Sequence, residues 1–142
     1  MIFWQDKTLD ELSDEEWEAL CDGCGLCCLH KLQDEDDGAL YYTDIACHSF
    51  DSKRCRCQDY HGRNKVEMCL NLREMRREDF SWLPRSCAYR LRANGQALPD
   101  WHYLIAGSKT KMHVFKKSAK GRVINEKLVP PDEWQERVVR WV

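Results

Sequence analysis

The chain has 142 residues, of which 32% are charged, with a mean hydropathy of −0.68 and a formal net charge of −2. That length suits one domain, and no stretch approaches the ~18 consecutive apolar residues of a membrane-spanning helix. Nine of the residues counted as hydrophobic are cysteines. The aliphatic core is therefore thin, and a structural metal is expected to help hold the fold, because metal binding supplies roughly 10–16 kcal/mol of folding free energy in small zinc peptides.

The first residues, MIFWQDKTLDEL, turn acidic after four positions and lack the basic start and long apolar run of a signal peptide. The expected location is the cytoplasm, where thiols stay reduced and clustered cysteines point to metal or redox chemistry. An odd count of nine also fits full disulfide pairing poorly. Thr8 with Glu11 and Ser13 with Glu16 match the capping-box pattern. They predict a helix over 8–20, with Trp17 and Leu20 on its apolar edge. Gly23 and Gly25 then cost a regular helix roughly 1 kcal/mol each, so a turn or broken helix is expected through the cysteines.

Residues 34–38 (DEDDG) read as an acidic turn, 39–46 (ALYYTDIA) as a strand and 47–65 as loop. Val66, Cys69 and Leu70, at i, i+3 and i+4, predict a helix over 66–77. Pro84 opens a helix that carries Cys87 and stops at Asn94-Gly95. Segments 111–115 (KMHVF) and 122–129 (RVINEKLV) are expected to pair as a hairpin across the Lys/Gly turn at 116–121. Pro131 opens a last helix with Trp134, Val138 and Trp141 on one face. The fold class that follows is a small, α-rich α+β single domain over 1–142. It has irregular, metal-stapled loops in a cysteine-rich unit over 21–87 and a basic hairpin with a C-terminal helix over 108–142.

Charge is unevenly spread. Residues 1–37 carry twelve Asp and Glu against Lys7 and Lys31, whereas 108–127 carry six lysines and Arg122 against Glu126 alone. The two ends either attract one another or stay solvated. A pI of 6.2 argues against a nucleic-acid partner.

The stretch LCDGCGLCCLH (20–30) holds Cys21, Cys24, Cys27 and Cys28. Cys-x-x-Cys is a metal bite, because two intervening residues let the backbone turn so that both sulfurs face one ion. Small residues in between let backbone N–H groups approach the thiolates. Tetrahedral zinc with Zn–S near ~2.3 Å and an iron–sulfur cluster both accept such a set. The ferredoxin spacing would continue with three residues and a Cys-Pro, whereas here Cys28 follows Cys27 directly. The two adjacent sulfurs are expected to point apart, so that they serve different centres, or one of them lies outside the ligand set, or both meet one cluster by an unusual approach. Cys47, Cys55, Cys57, Cys69 and Cys87 supply the remaining thiols. His30, His48 and His61 lie beside them and are expected to be surface or supporting residues, because sulfur is plentiful.

The motif Cys21-x-x-Cys24-x-x-Cys27-Cys28, followed by Cys47, Cys57-x-x-Tyr60 with Arg63, Cys69 and Cys87, resembles the CxxCxxCC family of zinc- or iron-chelating proteins. The resemblance extends to its YcgN-type bacterial branch in LCDGCGLCCLHKL (20–32), YYTD (41–44), CRCQDY (55–60), WLPRSCAYRL (82–91) and LPDWH (98–102). It covers about residues 10 to 125 and implies metal binding through these cysteines, with zinc and iron both open. The wider family includes flagellin lysine methylases. This chain is much shorter than those enzymes and has no Gly-rich loop after a clear strand.

The expected function is a cytoplasmic metal-binding protein holding zinc or an iron–sulfur centre. Its expected ligands are Cys21, Cys24, Cys27, Cys28, Cys47, Cys57, Cys69 and Cys87, and it is expected to act on a protein partner. Cys55 is the weakest candidate of the nine and is left out of this set. The alternative is an iron–sulfur-dependent redox or methyl-transfer-related enzyme, with Asp44, Asp59, Tyr60, Arg63 and Arg90 lining its site. A nucleic-acid reading would use the 116–122 turn with Arg73, Arg76 and Arg77, and ranks last. No Ser/His/Asp order, Walker loop or HExxH occurs.

Overall fold

A computed structural model of the protein describes residues 2–57, 72, 73 and 75–142, with Arg56 and Cys57 described through their backbone. It is an α+β fold. After the single turn α1 (Phe3–Asp6), two capping boxes follow in succession. Thr8 and Glu11 close the first around a 3-10 turn, Leu9–Glu11. Ser13 and Glu16 close the second at the start of α2 (Asp14–Leu20). The single helix expected over 8–20 is therefore divided. Ser13 caps with extended backbone (φ −68°, ψ 168°), and an N-cap residue lies outside the helix it starts.

Gly23 and Gly25 take left-handed φ of 73° and 76°, and the chain turns as expected into a 3-10 segment, Leu26–Cys28. From there β1 (Leu29–Gln33) and β2 (Leu40–Ala46) form an antiparallel hairpin. The acidic turn joins them, with the Asp34 carboxylate accepting the Asp36 N–H at 2.7 Å. β3 (Phe50–Asp51) and β4 (Arg56–Cys57) make a small second ladder inside the segment read as loop. The helix expected over 66–77 falls mostly outside the described residues. A 3-10 segment, Arg77–Trp82, follows it.

Pro84 does not start the next helix directly. Its carbonyl accepts the Cys87 N–H at 3.0 Å, which closes a separate turn. Cys87, with ψ 127°, is the N-cap of α3 (Ala88–Ala93), which ends at Asn94 and a left-handed Gly95. Two short helices follow, α4 (Tyr103–Ala106) and α5 (Thr110–Val114).

The C-terminal hairpin expected from 111–115 and 122–129 is not formed. Residues 111–114 belong to α5 and Phe115 is its C-cap, with Met112 fully buried while Val114 and Phe115 are exposed. A single buried side chain gives this segment no sheet face. β5 (Ile124–Asn125) instead joins β2 in parallel, pairing Ile45 with Ile124 and Ala46 with Asn125. The last helix is also corrected. It is a 3-10 segment, Pro131–Arg137, and Val138 beyond it bridges Thr43 in extended form. Val139 N–H reaches Tyr42 O at 2.8 Å. β5 pairs with β2 only at Ile45 and Ala46, and the Tyr42–Thr43 stretch takes up this extended segment.

Two apolar cores flank the cysteine loop. Leu9, Leu12, Trp17, Leu20, Phe80, Leu83, Ala88, Tyr89 and Leu98 form the first, which joins α2 to α3. The second gathers Cys24, Leu26, Leu29, Phe50, Cys55 and Met112 around the sheet. The acidic N-terminus meets arginines from mid-chain rather than the C-terminal lysines. Arg77 pairs with Asp10 at 2.7 Å and Arg73 with Asp14 at 3.2 Å, and both guanidinium groups lie over Trp17.

His102 is fully buried between these regions. Its Nε2–H donates to Leu20 O at 2.9 Å and its Nδ1 accepts the Leu104 N–H at 3.1 Å, so the fold uses the neutral ring. Burial holds its pKa below the ordinary 6.5, against the pull of Leu20 O and Asp22. An unfolded chain would bind the proton that the folded chain refuses. The stability this contributes is present above the ordinary value and is lost as pH falls below it. Urea midpoints are expected to fall from pH 7 to pH 5. Burial lowers His30 and His113 in the same direction. The His102 share therefore appears as a shallower pH slope in His102→Gln, and equal slopes would refute it.

Candidate metal centre

Two separate stretches of chain deliver thiols to one region. Cys21 ends α2 as its C-cap, Cys24 follows in the glycine turn, and Cys27 and Cys28 lie in the 3-10 segment. Cys87 arrives from the start of α3. Cys21, Cys27 and Cys87 lie within electrostatic reach of one another, and Cys24 within reach of Cys21 and Cys27. Burial pushes the Cys87 thiol up to about 12, with Cys27 and Asp22 adding repulsion, and Cys21, an exposed residue, meets the same repulsion from Cys27 and Asp22. Burial also lifts Cys24 well above the ordinary thiol range.

Cys27 behaves oppositely. A hydrogen bond with the Cys28 thiol brings it down to about 7, and Lys31 assists. The expectation that Cys27 and Cys28 point apart is thereby corrected. In a 3-10 turn, neighbouring residues are rotated by a third of a turn, not by the half-turn of a strand.

Cys47 follows the end of β2, and its N–H bonds Cys28 O at 2.8 Å. Cys57 is placed by its backbone pairing with Phe50. Cys69 lies outside the described residues, as do His61, Asp59, Tyr60 and Arg63. Cys55 has left-handed φ of 54°, and its thiol donates to Gly23 O and Cys24 O, each at 3.3 Å. That position buttresses the loop with a protonated thiol. Of the other residues considered for a reaction site, Asp44 forms a two-pronged ion pair with Arg137 at 2.7 and 2.8 Å, and Arg90 donates to Leu83 O at 2.8 Å.

Asp22 was not singled out from the sequence, although an acid inside a Cys-x-x-Cys bite is a visible signal. It is 4% exposed, and its Oδ1 accepts the Cys24 N–H at 3.0 Å. Its Oδ2 is buried without a hydrogen-bond partner. A buried carboxylate oxygen left unpaired is costly, and its charge adds to the repulsion on Cys21, Cys24, Cys27 and Cys87. The donor set fits a cation: thiols of soft character that become thiolates on binding, beside an uncompensated acid. Lys31, whose Nζ lies 5.0 Å from the Tyr42 ring centre, adds one positive charge next to Cys27 and Cys28.

A cysteine-rich loop around a buried, half-satisfied acid in a small α+β domain marks the metal-binding class of protein. Residues 20–88 match the CxxCxxCC family, described as "Putative zinc- or iron-chelating domain". The chain belongs to the UPF0260 family. It is 50% identical to a UPF0260 protein of Vibrio cholerae serotype O1 over 96% of this chain and 94% of the relative. UPF0260 proteins of Azotobacter vinelandii and Ectopseudomonas mendocina are 50% and 49% identical, each over 96% of this chain and 93% of theirs. No solved structure matches. Among the described residues no helix is long and apolar enough to cross a membrane.

Proposed function

We propose that the protein holds an iron–sulfur centre through Cys21, Cys24, Cys27 and Cys87. Cys28, Cys57 and Cys69 are the further candidates from the sequence. The carrying observation is Cys87. It comes from a separate element far along the chain and is within reach of Cys21 and Cys27. Spacing favours iron–sulfur over a lone zinc. Tetrahedral zinc with Zn–S near ~2.3 Å holds its sulfurs roughly 3.8 Å apart. Among the described residues, no three of these sulfurs lie within 4.8 Å of one another. A four-iron cluster spreads its four thiolates, because each binds a different iron. When bound, it would supply one-electron chemistry or a rigid structural link. This chain's own part is to supply thiolates and to set the local charge through Asp22 and Lys31. The reading places the protein in the cytoplasm, where these thiols stay reduced.

Elemental analysis with a visible spectrum on anaerobically purified protein tests this. The expected result is iron with equimolar acid-labile sulfide and a broad band near ~400 nm, as for cysteine-ligated clusters generally. A colourless, zinc-loaded sample would replace iron by zinc in this reading. A metal-free sample would end it.

A further inference from the structure

The ends of three neighbouring strands bring a second set of donors together. Parallel pairing of β2 with β5 stops at Ala46 and Asn125, and the next residues on each strand are Cys47 with His48 and Glu126. One ligand atom from each of Cys47, His48 and Glu126 falls within 4.8 Å of the other two, the one such trio among the described residues. Glu126 Oε2 lies 3.1 Å from His48 Nδ1 and accepts the His48 N–H at 2.6 Å. β1 then adds His30. Its register against β2 shifts between Leu29 and Lys31, so His30 sits on a bulge. Bulges re-aim side chains and recur beside functional sites. Here His30 Nε2 is brought to 3.4 Å from Glu126 Oε1. That nitrogen is buried and makes no hydrogen bond. Trp134 packs on the other side of its ring, at 4.4 Å between centres.

We propose that Cys47, His48 and Glu126, with His30 as the fourth donor, form a second metal site for one divalent ion of borderline softness, of the zinc or ferrous class. One sulfur, two imidazole nitrogens and one carboxylate is a donor set such ions accept. The His48 contacts alone would make Glu126 a local cap. They leave unexplained why a bulge aims a buried, unbonded imidazole nitrogen at the same carboxylate. Two ligands of one ion approach each other in this way, side by side. The His48 side chain is 42% exposed, so the site opens to solvent and its ion exchanges readily. The proposal does not rest on the iron–sulfur reading, and Glu126 lies beyond the matched residues 20–88.

The test uses full-length protein purified anaerobically, treated briefly with EDTA and titrated with cobalt(II). Wild type is expected to take up one equivalent with a sulfur-to-cobalt charge-transfer band, while its iron is retained. Glu126→Gln and His48→Ala are each expected to weaken that binding at least 10–100-fold, the loss typical when even an outer-shell partner is removed. Cys47→Ser is expected to remove the band. Retained iron in the variants reports that they fold, and a melting curve does so if iron is absent. Cobalt binding unchanged in Glu126→Gln and His48→Ala, or no cobalt bound by wild type, overturns the proposal. Cobalt bound at this site by iron-free protein would end the iron–sulfur reading and leave this one standing.

Discussion

Cys87→Ser is expected to strip most of the metal from the thiol centre and to lower the melting temperature by roughly 10 °C or more. A shared centre acts as a cross-link. Tying Cys87 to Cys21 and Cys27 closes a loop of about 60 residues in the unfolded chain. By the loop-closure relation for disulfides, such a link stabilises by about 4 kcal/mol. In a domain of this size 1 kcal/mol moves the melting temperature by several degrees. Thiolates at 21–28 alone cannot join α2 to the start of α3, so the loss is structural as well as chemical. Cys55→Ser is the contrast. Its thiol is spent on Gly23 O and Cys24 O, and metal content should survive. Iron analysis and melting curves under reducing, anaerobic conditions read both. Full metal and an unchanged melting temperature in Cys87→Ser would remove Cys87 from the centre.

Gly25→Ala carries the second large effect. At φ +76° an L-residue costs about 1–2 kcal/mol. The new Cβ would also stand 2.6 Å from Cε2 and Cζ of Phe50 and 3.4 Å from the Cys55 sulfur. Phe50 is buried in the second core, so the ring has little room to yield. Overpacking of that kind adds about 1–3 kcal/mol. The sum is about 2–5 kcal/mol, and the strain falls on the turn between Cys24 and Cys27. Gly23→Ala, at nearly the same φ, meets only the flexible Lys109 Nζ at 3.0 Å. It should cost only the backbone share. Denaturant midpoints compare the two, and an equal loss in both would show that Phe50 moves aside.

Much of this architecture can be read from short-range signals. Both capping boxes, the glycine turn, the acidic hairpin turn and the strand at 40–46 lie where their local chemistry puts them, because caps and turns are decided within four or five residues. β1 escaped notice because LHKLQ is half-buried and follows directly on the cysteines, so no clean alternation marks it. Segment 111–115 alternates like a strand, yet only Met112 finds a core, and the chain winds into α5 around it.

The sequence by itself determined how densely this protein would carry thiols and where the chain would bend to present them. The tertiary structure alone decided which distant groups meet them. Asp22 became a buried, half-satisfied acid only when the loop closed over it. Glu126, one acid in a basic stretch, acquired partners only through parallel pairing with a strand nearly eighty residues earlier. Caps and turns act on their own neighbours. The pairing of remote segments depends on where buried faces can meet, and no local pattern encodes that.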